Sequence, residues 1–247
     1  MHRFYVAPQD WSPDALILSD AEAHHARDVL RLKRGDRAVL FNGRGREITA
    51  EIIDLTKSEV RLRKLHEGET PPLRCKITLG QAIPKGKNMD LIVQKAVEIG
   101  AVEIAPLISE RTIVDLDRDE AEQKRAKWQQ IAIEAAKQCG QNWLPQIHTP
   151  RKLKAFFSQP GSFDLRLVGS LQPDAIHLKQ ILGDYTDQHR DRPATVLMLI
   201  GPEGDFTPAE LALAKSNGCL PITLGPIILR VETAAIYCLS VLSYELM

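Results

Sequence analysis

The feature that most restricts how this chain can fold is a change of apolar period near residue 70. Before it, Glu47-Ile48-Thr49-Ala50-Glu51-Ile52 and Ser58-Glu59-Val60-Arg61-Leu62-Arg63 alternate polar with small or apolar side chains. That two-residue period belongs to strands buried on one face. After it, short apolar runs alternate with longer segments of helical period, which calls for a mainly parallel sheet covered on both faces. With 247 residues, 44% of them apolar, the chain has enough core for one large or two small domains, and the change of period favours two. They are expected at 1–70 and 73–247.

In the first region Arg37-Ala38-Val39-Leu40-Phe41 runs into Asn42-Gly43, the dipeptide favoured where a hairpin needs positive φ. Ser19 and Glu22 have capping-box spacing, with Ala26, Val29 and Leu30 as an apolar stripe behind them. A small β-barrel with one or two helices is predicted. Glu67-Gly68-Glu69-Thr70-Pro71-Pro72 reads as a linker, because it has no apolar period and the proline pair cannot continue a ladder. Beyond it the expected order is strand Cys75 to Leu79, helix Asn88 to Ile99 closed by Gly100, strand Ala101 to Ile108 and helix Asp119 to Gln138. Strands Leu165 to Val168 and Thr195 to Ile200 come next. A helix opened by Thr207-Pro208-Ala209-Glu210 and ended by Gly218, strand Leu220 to Leu224 and helix Glu232 to Leu242 complete the pattern.

Composition removes several classes of function. No apolar run approaches the roughly 20 residues that span a bilayer, and the N-terminus lacks the apolar stretch of a signal peptide, so a cytoplasmic location is expected. Cys75, Cys139, Cys219 and Cys238 show no short paired spacing. Neither a metal site nor a disulfide framework is therefore indicated, and buried free thiols are expected. His24 and His25 are adjacent on a helix and point about 100° apart, unsuited to sharing one ligand. Asn42-Gly43-Arg44-Gly45-Arg46 lacks the third glycine of a dinucleotide fingerprint, no phosphate-binding Gly-x-x-x-x-Gly-Lys motif occurs, and Gly169-Ser170 is not a hydrolase elbow. The formal net charge is zero. Even so, Arg27 to Arg46 holds Arg27, Arg31, Lys33, Arg34, Arg37, Arg44 and Arg46 against Asp28 and Asp36, which fits a solvated face or a surface that contacts phosphates.

Two glycine-proline turns carry the chemistry. Ile200-Gly201-Pro202-Glu203-Gly204-Asp205-Phe206 and Leu224-Gly225-Pro226-Ile227-Ile228-Leu229-Arg230-Val231-Glu232-Thr233-Ala234 each follow a buried apolar run and precede a helix. Either alone could be a tight strand-to-helix turn. Both, however, stand at strand carboxyl ends, where open α/β sheets bind ligands. Arg230 and Glu232 flank the transition from the second turn into the helix that follows. They read as a surface arginine and a helix cap, or as a fixed cation and carboxylate beside a ligand.

Together these segments resemble the signature of the RsmE family of SPOUT RNA methyltransferases. Gln94-Lys95-Ala96-Val97-Glu98-Ile99-Gly100, Ser109-Glu110-Arg111, Glu134-Ala135-Ala136-Lys137-Gln138-Cys139-Gly140 and the His25 to Asp36 segment resemble family blocks in the expected order. The resemblance implies an N-terminal PUA-like barrel and a C-terminal SPOUT α/β domain with a trefoil knot, assembled as a homodimer and using no metal. It implies S-adenosyl-L-methionine as methyl donor and ring nitrogen 3 of one uridine in 16S ribosomal RNA, or in the small ribosomal subunit, as acceptor. By position, Val168, Gly169, Ile200, Gly201, Glu203, Gly204, Leu224, Gly225, Ile228, Leu229 and Thr233 would hold the donor. Arg230 and Glu232 would be catalytic, and Arg3, Arg27, Arg31, Arg34 and Arg44 would face RNA.

The chain departs from the family pattern at Ile227, where a second arginine is usual, at Asp205, where glycine is usual, and at Gln141, where arginine is common. Arg230 is expected to stabilise charge on the uracil oxygens once the imide proton leaves. Glu232 and solvent are the rival bases. A related enzyme acting on another RNA, or an RNA-binding module without catalysis, would be separated from this reading by donor binding and by the methylated product.

Overall fold

The computed structural model describes residues 1–112, 116–158 and 161–247. They form two compact units. The first takes in 1–72 and 133–144, the second 73–132 and 145–247.

In the first unit, β1 (His2–Tyr5), β2 (Leu16–Ser19) and α1 (Asp20–His24), which continues as a π-helical turn over His25–Val29, precede β3 (Arg37–Phe41), β4 (Arg46–Leu55) and β5 (Glu59–Glu69). The sheet order is β1-β3-β4-β5-β2, with β1 parallel to β3 and the other pairs antiparallel. Phe4, Leu16, Leu18, Leu40, Ile48, Ile52 and Val60 enter one buried cluster. Because both edge strands feed it, the sheet must curve around that cluster. Each such side chain contributes about 1.5–3 kcal/mol on burial. The alternation read from the sequence is the cause: Ile48, Ala50 and Ile52 turn inward along β4. Between β3 and β4 the chain reverses with Gly43 and Gly45 at φ 70° and 88°. Asn42 Oδ1 accepts the Arg44 and Arg46 amides at 2.8 and 3.2 Å and holds the turn.

Two local expectations fail here. The stretch read as a linker from Glu67 is still strand to Glu69, paired in register with Arg46 to Ile48; cross-strand ion pairing of Arg46 with Glu67 does there what apolar alternation does elsewhere. Ser19 does precede α1 but makes no side-chain cap. The Glu22 carboxylate is drawn instead to the ammonium of Lys137, whose side chain is 9% exposed.

The second unit is a parallel sheet with helices. Its elements are β6 (Lys76–Ala82), α2 (Asn88–Ile99), β7 (Glu103–Ile108), α3 (Arg118–Cys139, whose residues 133–139 belong to the first unit), β8 (Gln146–Ile147), β9 (Arg151–Lys152), α4 (Leu153–Phe157), β10 (Leu165–Gly169) and β11 (Ile176–His177). α5 (Leu178–His189), β12 (Thr195–Ile200), α6 (Pro208–Ser216), β13 (Leu220–Thr223) and α7 (Val231–Leu246) follow. The strand order is β11-β13-β10-β12-β6-β7-β8, with β9 also on β7, and every pair is parallel. Leu197 and Leu199 of β12 pack with Leu153 of α4 and Leu211 and Ala214 of α6 on one face. α7 lies on β6 and β12 and against α2.

The helix at Asn88–Ile99 has the expected ends, and Gly100 closes it at φ 97°. Thr207 and Glu210 make the full reciprocal capping box at the start of α6. α5 escaped the sequence because its cap is the ring of His177, which accepts the Lys179 amide, rather than a hydroxyl or carboxylate. Two-residue strands such as β8, β9 and β11 are too short to show a period. Cys75, Cys219 and Cys238 are buried, and burial pushes their thiols up to about 11, about 12 and about 12, whereas Cys139 is exposed, against expectation. Among the described residues no helix is long and apolar enough to cross a membrane.

Candidate functional site

In the parallel sheet β10 lies between β13 and β12, so the carboxyl ends of these three strands emerge side by side. The loops leaving them line a cavity of about 630 Å³, within the range of small-molecule sites. Three stretches make the wall: Gly169 to Gln172, Ile200 to Asp205, and Thr223 to Glu232, with Asn88 at the start of α2 and Ala234 on α7.

Backbone geometry explains the glycines. A Cβ on Gly201 would stand 2.9 Å from the Phe206 amide nitrogen, too close for any side chain. Gly225 has φ 111°, with no atom within 4 Å of where a Cβ would be; main chain there meets open space at the cavity wall. Asp205 takes φ 70°, the left-handed region that aspartate tolerates better than most residues. The same conformation suits the glycine that the resemblance leads us to expect there.

The side chain of Asp205 has acquired work that glycine cannot do. Its Oδ2 accepts the Leu171 amide at 3.0 Å and its Oδ1 accepts the Phe206 amide at 2.7 Å, joining the second wall segment to the first. Arg111 holds the same turn by donating to the carbonyls of Gly204 and, at 3.4 Å, Asp205. Buried Glu210 accepts from Ser109 Oγ at 2.9 Å and from the Glu110 and Thr207 amides, each at 3.0 Å. The Ser109-Glu110-Arg111 block is thus the brace of the Gly201 to Thr207 turn. In the third loop Thr223 Oγ1 accepts the Gly225 amide at 3.3 Å.

Glu203, Asp205 and Glu232 stand in the wall against the single cation Arg230. Such a lining suits a cationic ligand and disfavours a phosphorylated one. Glu232 Oε2 accepts from Asn88 Nδ2 at 3.1 Å, and Glu203 Oε1 accepts the Lys85 amide at 3.0 Å. Arg230 caps α7 from an extended backbone (φ −63°, ψ 154°) and is exposed. Its guanidinium has no partner among the described residues.

Of the residues expected to bind the donor, Gly169, Ile200, Gly201, Glu203, Gly204, Leu224, Gly225, Ile228 and Leu229 line the cavity, together with Arg230 and Glu232. Two do not. Val168 is fully buried in the core between sheet, α4 and α6, on the opposite side of the strand from Gly169. Thr233 is exposed on α7 outside the wall. Sequence reasoning missed Asn88, Ser170, Leu171 and Gln172, and it treated Asp205 only as a departure. Asn88 had no local motif to mark it, since its role arises only when α2 meets α7. Ile227 and Ile228 are 73% and 75% exposed, so the position of the missing arginine forms an apolar lip.

In the first unit the basic residues divide. Arg3, expected on an RNA-facing surface, is instead built into the unit: it pairs with Glu47 at 3.0 Å, donates to Asn142 and lies 5.0 Å from the centre of the Phe41 ring. Its side chain is 15% exposed, because these partners close over it. Arg27 pairs with Asp28 and donates to the carbonyls of Thr56 and Lys57. The Arg27 guanidinium, with help from His24, holds the Asp28 carboxyl down at about 2. Arg31, Arg34 and Arg44 are exposed and make no side-chain hydrogen bond or ion pair among the described residues, though Arg44 lies close enough to Tyr5 to act on it electrostatically. His24 bonds Asp28 at 2.6 Å while His25 meets the Phe4 ring edge-on, so the two rings do not converge. Gln141 accepts the Trp143 amide at 3.1 Å, and the Trp143 indole donates to the Thr70 carbonyl at 2.9 Å. Among the described residues no cluster of three or more His, Cys, Asp or Glu could hold a metal.

Comparison with known proteins supplies the class. Residues 71–243 match the family described as RNA methyltransferase domain, and residues 18–65 match the RNA methyltransferase PUA domain. Ribosomal RNA small subunit methyltransferase E of Synechocystis sp. is 32% identical over 94% of this chain and 74% of that protein. The Bacillus subtilis protein of the same name is 30% identical over 92% of this chain and 89% of its own length. A crystal structure of that enzyme from Neisseria gonorrhoeae, bound to S-adenosyl methionine, superposes with a TM-score of 0.85 at 32% identity, covering 99% of this chain and 98% of that one. The chain belongs to the ribosomal RNA small subunit methyltransferase E family of RNA methyltransferases.

Proposed function

We propose that this chain transfers the methyl group of S-adenosylmethionine to ring nitrogen 3 of one uridine in 16S ribosomal RNA. The observation that carries the reading is the cavity itself: three strand-end loops with three carboxylates and one unpaired arginine, in a chain whose relative from Neisseria gonorrhoeae is bound to that donor. Bound there, the donor supplies an electrophilic methyl carbon on a positively charged sulfur that leaves as a neutral thioether. The acidic wall suits that charge, and the open backbone at Gly225 leaves room for a flat base.

The residues of the chain then divide the work. The acceptor nitrogen carries a proton that must leave before or during attack on the methyl carbon. Arg230, exposed and free, stabilises the negative charge that this leaves on the uracil oxygens. Glu232 has one carboxylate oxygen fixed by Asn88, so its other oxygen is oriented to accept the imide proton, directly or through water. Nitrogen 3 lies on the Watson–Crick edge, so the uridine enters unpaired. Residues 1–70 serve as the RNA-binding domain and 73–247 as the SPOUT methyltransferase domain. The exposed Arg31, Arg34 and Arg44 contact phosphate. A trefoil knot in the second domain, a homodimeric assembly, a cytoplasmic setting and chemistry without metal complete the proposal.

Calorimetry with S-adenosylmethionine, followed by transfer of a labelled methyl group to 16S RNA, tests it. Saturable donor binding and RNA labelling are expected. Donor binding without RNA labelling would move the chain to another acceptor.

A further inference from the structure

β6 neighbours β12 in the parallel sheet, with Gln81 opposite Ile200. The chain leaving β6 therefore emerges beside the Gly201 to Asp205 wall of the cavity. Three residues after β6 ends comes Lys85-Gly86-Lys87, immediately before Asn88, itself a wall residue. The turn is fastened to the rim by its main chain: the Lys85 amide donates to Glu203 Oε1 at 3.0 Å. Gly86 has φ 69°, and no atom lies within 4 Å of where its Cβ would be. Both lysines are exposed, and neither ammonium has a partner among the described residues.

This arrangement contrasts with the cavity interior. Inside, carboxylates outnumber cations, and the nearby Arg111 is engaged by the Gly204 and Asp205 carbonyls. On the Lys85-Gly86-Lys87 turn the sign reverses. The acidic wall favours the cationic donor, while two ammonium groups on the adjoining turn suit a polyanion crossing the mouth. A nucleotide entering the cavity from an RNA strand brings its own phosphates to that height.

We propose that Lys85 and Lys87 bind the RNA backbone phosphates next to the nucleotide that enters the cavity, a second RNA contact separate from the basic surface of the first unit. The inference rests on the RNA methyltransferase reading. It makes the methyltransferase domain itself a backbone contact for the strand, able to position the nucleotide.

The test is a Lys85→Ala/Lys87→Ala double variant of the full chain, with binding of in vitro transcribed 16S RNA measured over a range of salt concentrations. The Lys85 amide and its bond to Glu203 survive the substitution, so donor affinity by calorimetry should match wild type. The plot of log affinity against log salt should become shallower by about 1.4, for two single-strand phosphate contacts. RNA affinity at moderate salt should fall roughly 10-fold or more, and Lys85→Arg/Lys87→Arg should restore most of it, since arginine also binds phosphate. An unchanged salt slope and RNA affinity with donor binding intact would overturn the proposal. Methylation by the wild type reports separately on the function of the cavity, because the slope is read from binding alone.

Discussion

The two units present function in different materials. In the second, the course of the cavity wall is set by main chain at Gly201, Gly225 and the left-handed turn at Asp205, to which charged side chains are added. In the first, the surface of interest consists of long charged side chains on the segment leading into β3 and on the turn between β3 and β4. Main-chain sites are written in the sequence as glycine and proline at strand ends, because those residues most readily adopt the geometry. Charged surfaces are written only as a count, and folding decides which charges remain free. Arg3, Arg27 and Arg46 are consumed by Glu47, Asp28 and Glu67, whereas Arg31, Arg34 and Arg44 stay exposed and make no ion pair among the described residues.

Breaking the cavity side of this contrast should give the largest effect. Arg230→Ala should lower turnover by about 10²-fold, the scale of losing one donor to a developing oxyanion, with little change in donor affinity by calorimetry. Equal turnover would remove Arg230 from the chemistry.

On the charged side, Arg31→Ala/Arg34→Ala/Arg44→Ala should weaken RNA binding by an order of magnitude or more and flatten its salt dependence by about 2 or more, for three phosphate contacts. Arg3→Ala sharpens the comparison, because its charge is already paired. It should lower the unfolding midpoint in denaturant, by about 1–3 kcal/mol in stability, and leave the salt slope near wild type. Were Arg3 to alter the slope as much as Arg31 does, the division into paired and free arginines would be wrong.

The smallest effect is expected at Asp205. Asp205→Gly keeps the left-handed turn but removes the acceptor for the Leu171 amide. Donor affinity should fall roughly 5-fold, the equivalent of one hydrogen bond of about 1 kcal/mol, and Asp205→Asn should recover part of it. No change in donor affinity would mean that the tie between the first two loops does not shape the cavity.

Much of the second unit could be read in advance. α2 has the expected ends because its apolar face and Gly100 sit where a helix must pack and stop, and α6 begins at Thr207 because both halves of its capping box are local. What stayed hidden depends on residues distant in sequence. Asn88 meets Glu232 only through the packing of α2 on α7, and Asp205 reaches Leu171 only because β10 and β12 are neighbours. Glu22 shows the converse error: a good local pattern was overridden when Lys137 offered a stronger partner. Val168 was assigned to the cavity by its neighbours in sequence, but the two-residue period of β10 turns it into the core while Gly169 reaches the wall.

The central claim is that the cavity methylates a uridine base of small-subunit RNA at nitrogen 3. Its most direct test is mass spectrometry of nucleosides from 16S RNA digested after incubation with the protein and isotopically labelled S-adenosylmethionine. The account predicts one labelled methyl group per RNA, on uridine, co-eluting with the 3-methyl standard. Label on another base or on ribose, or no label despite donor binding, would contradict it.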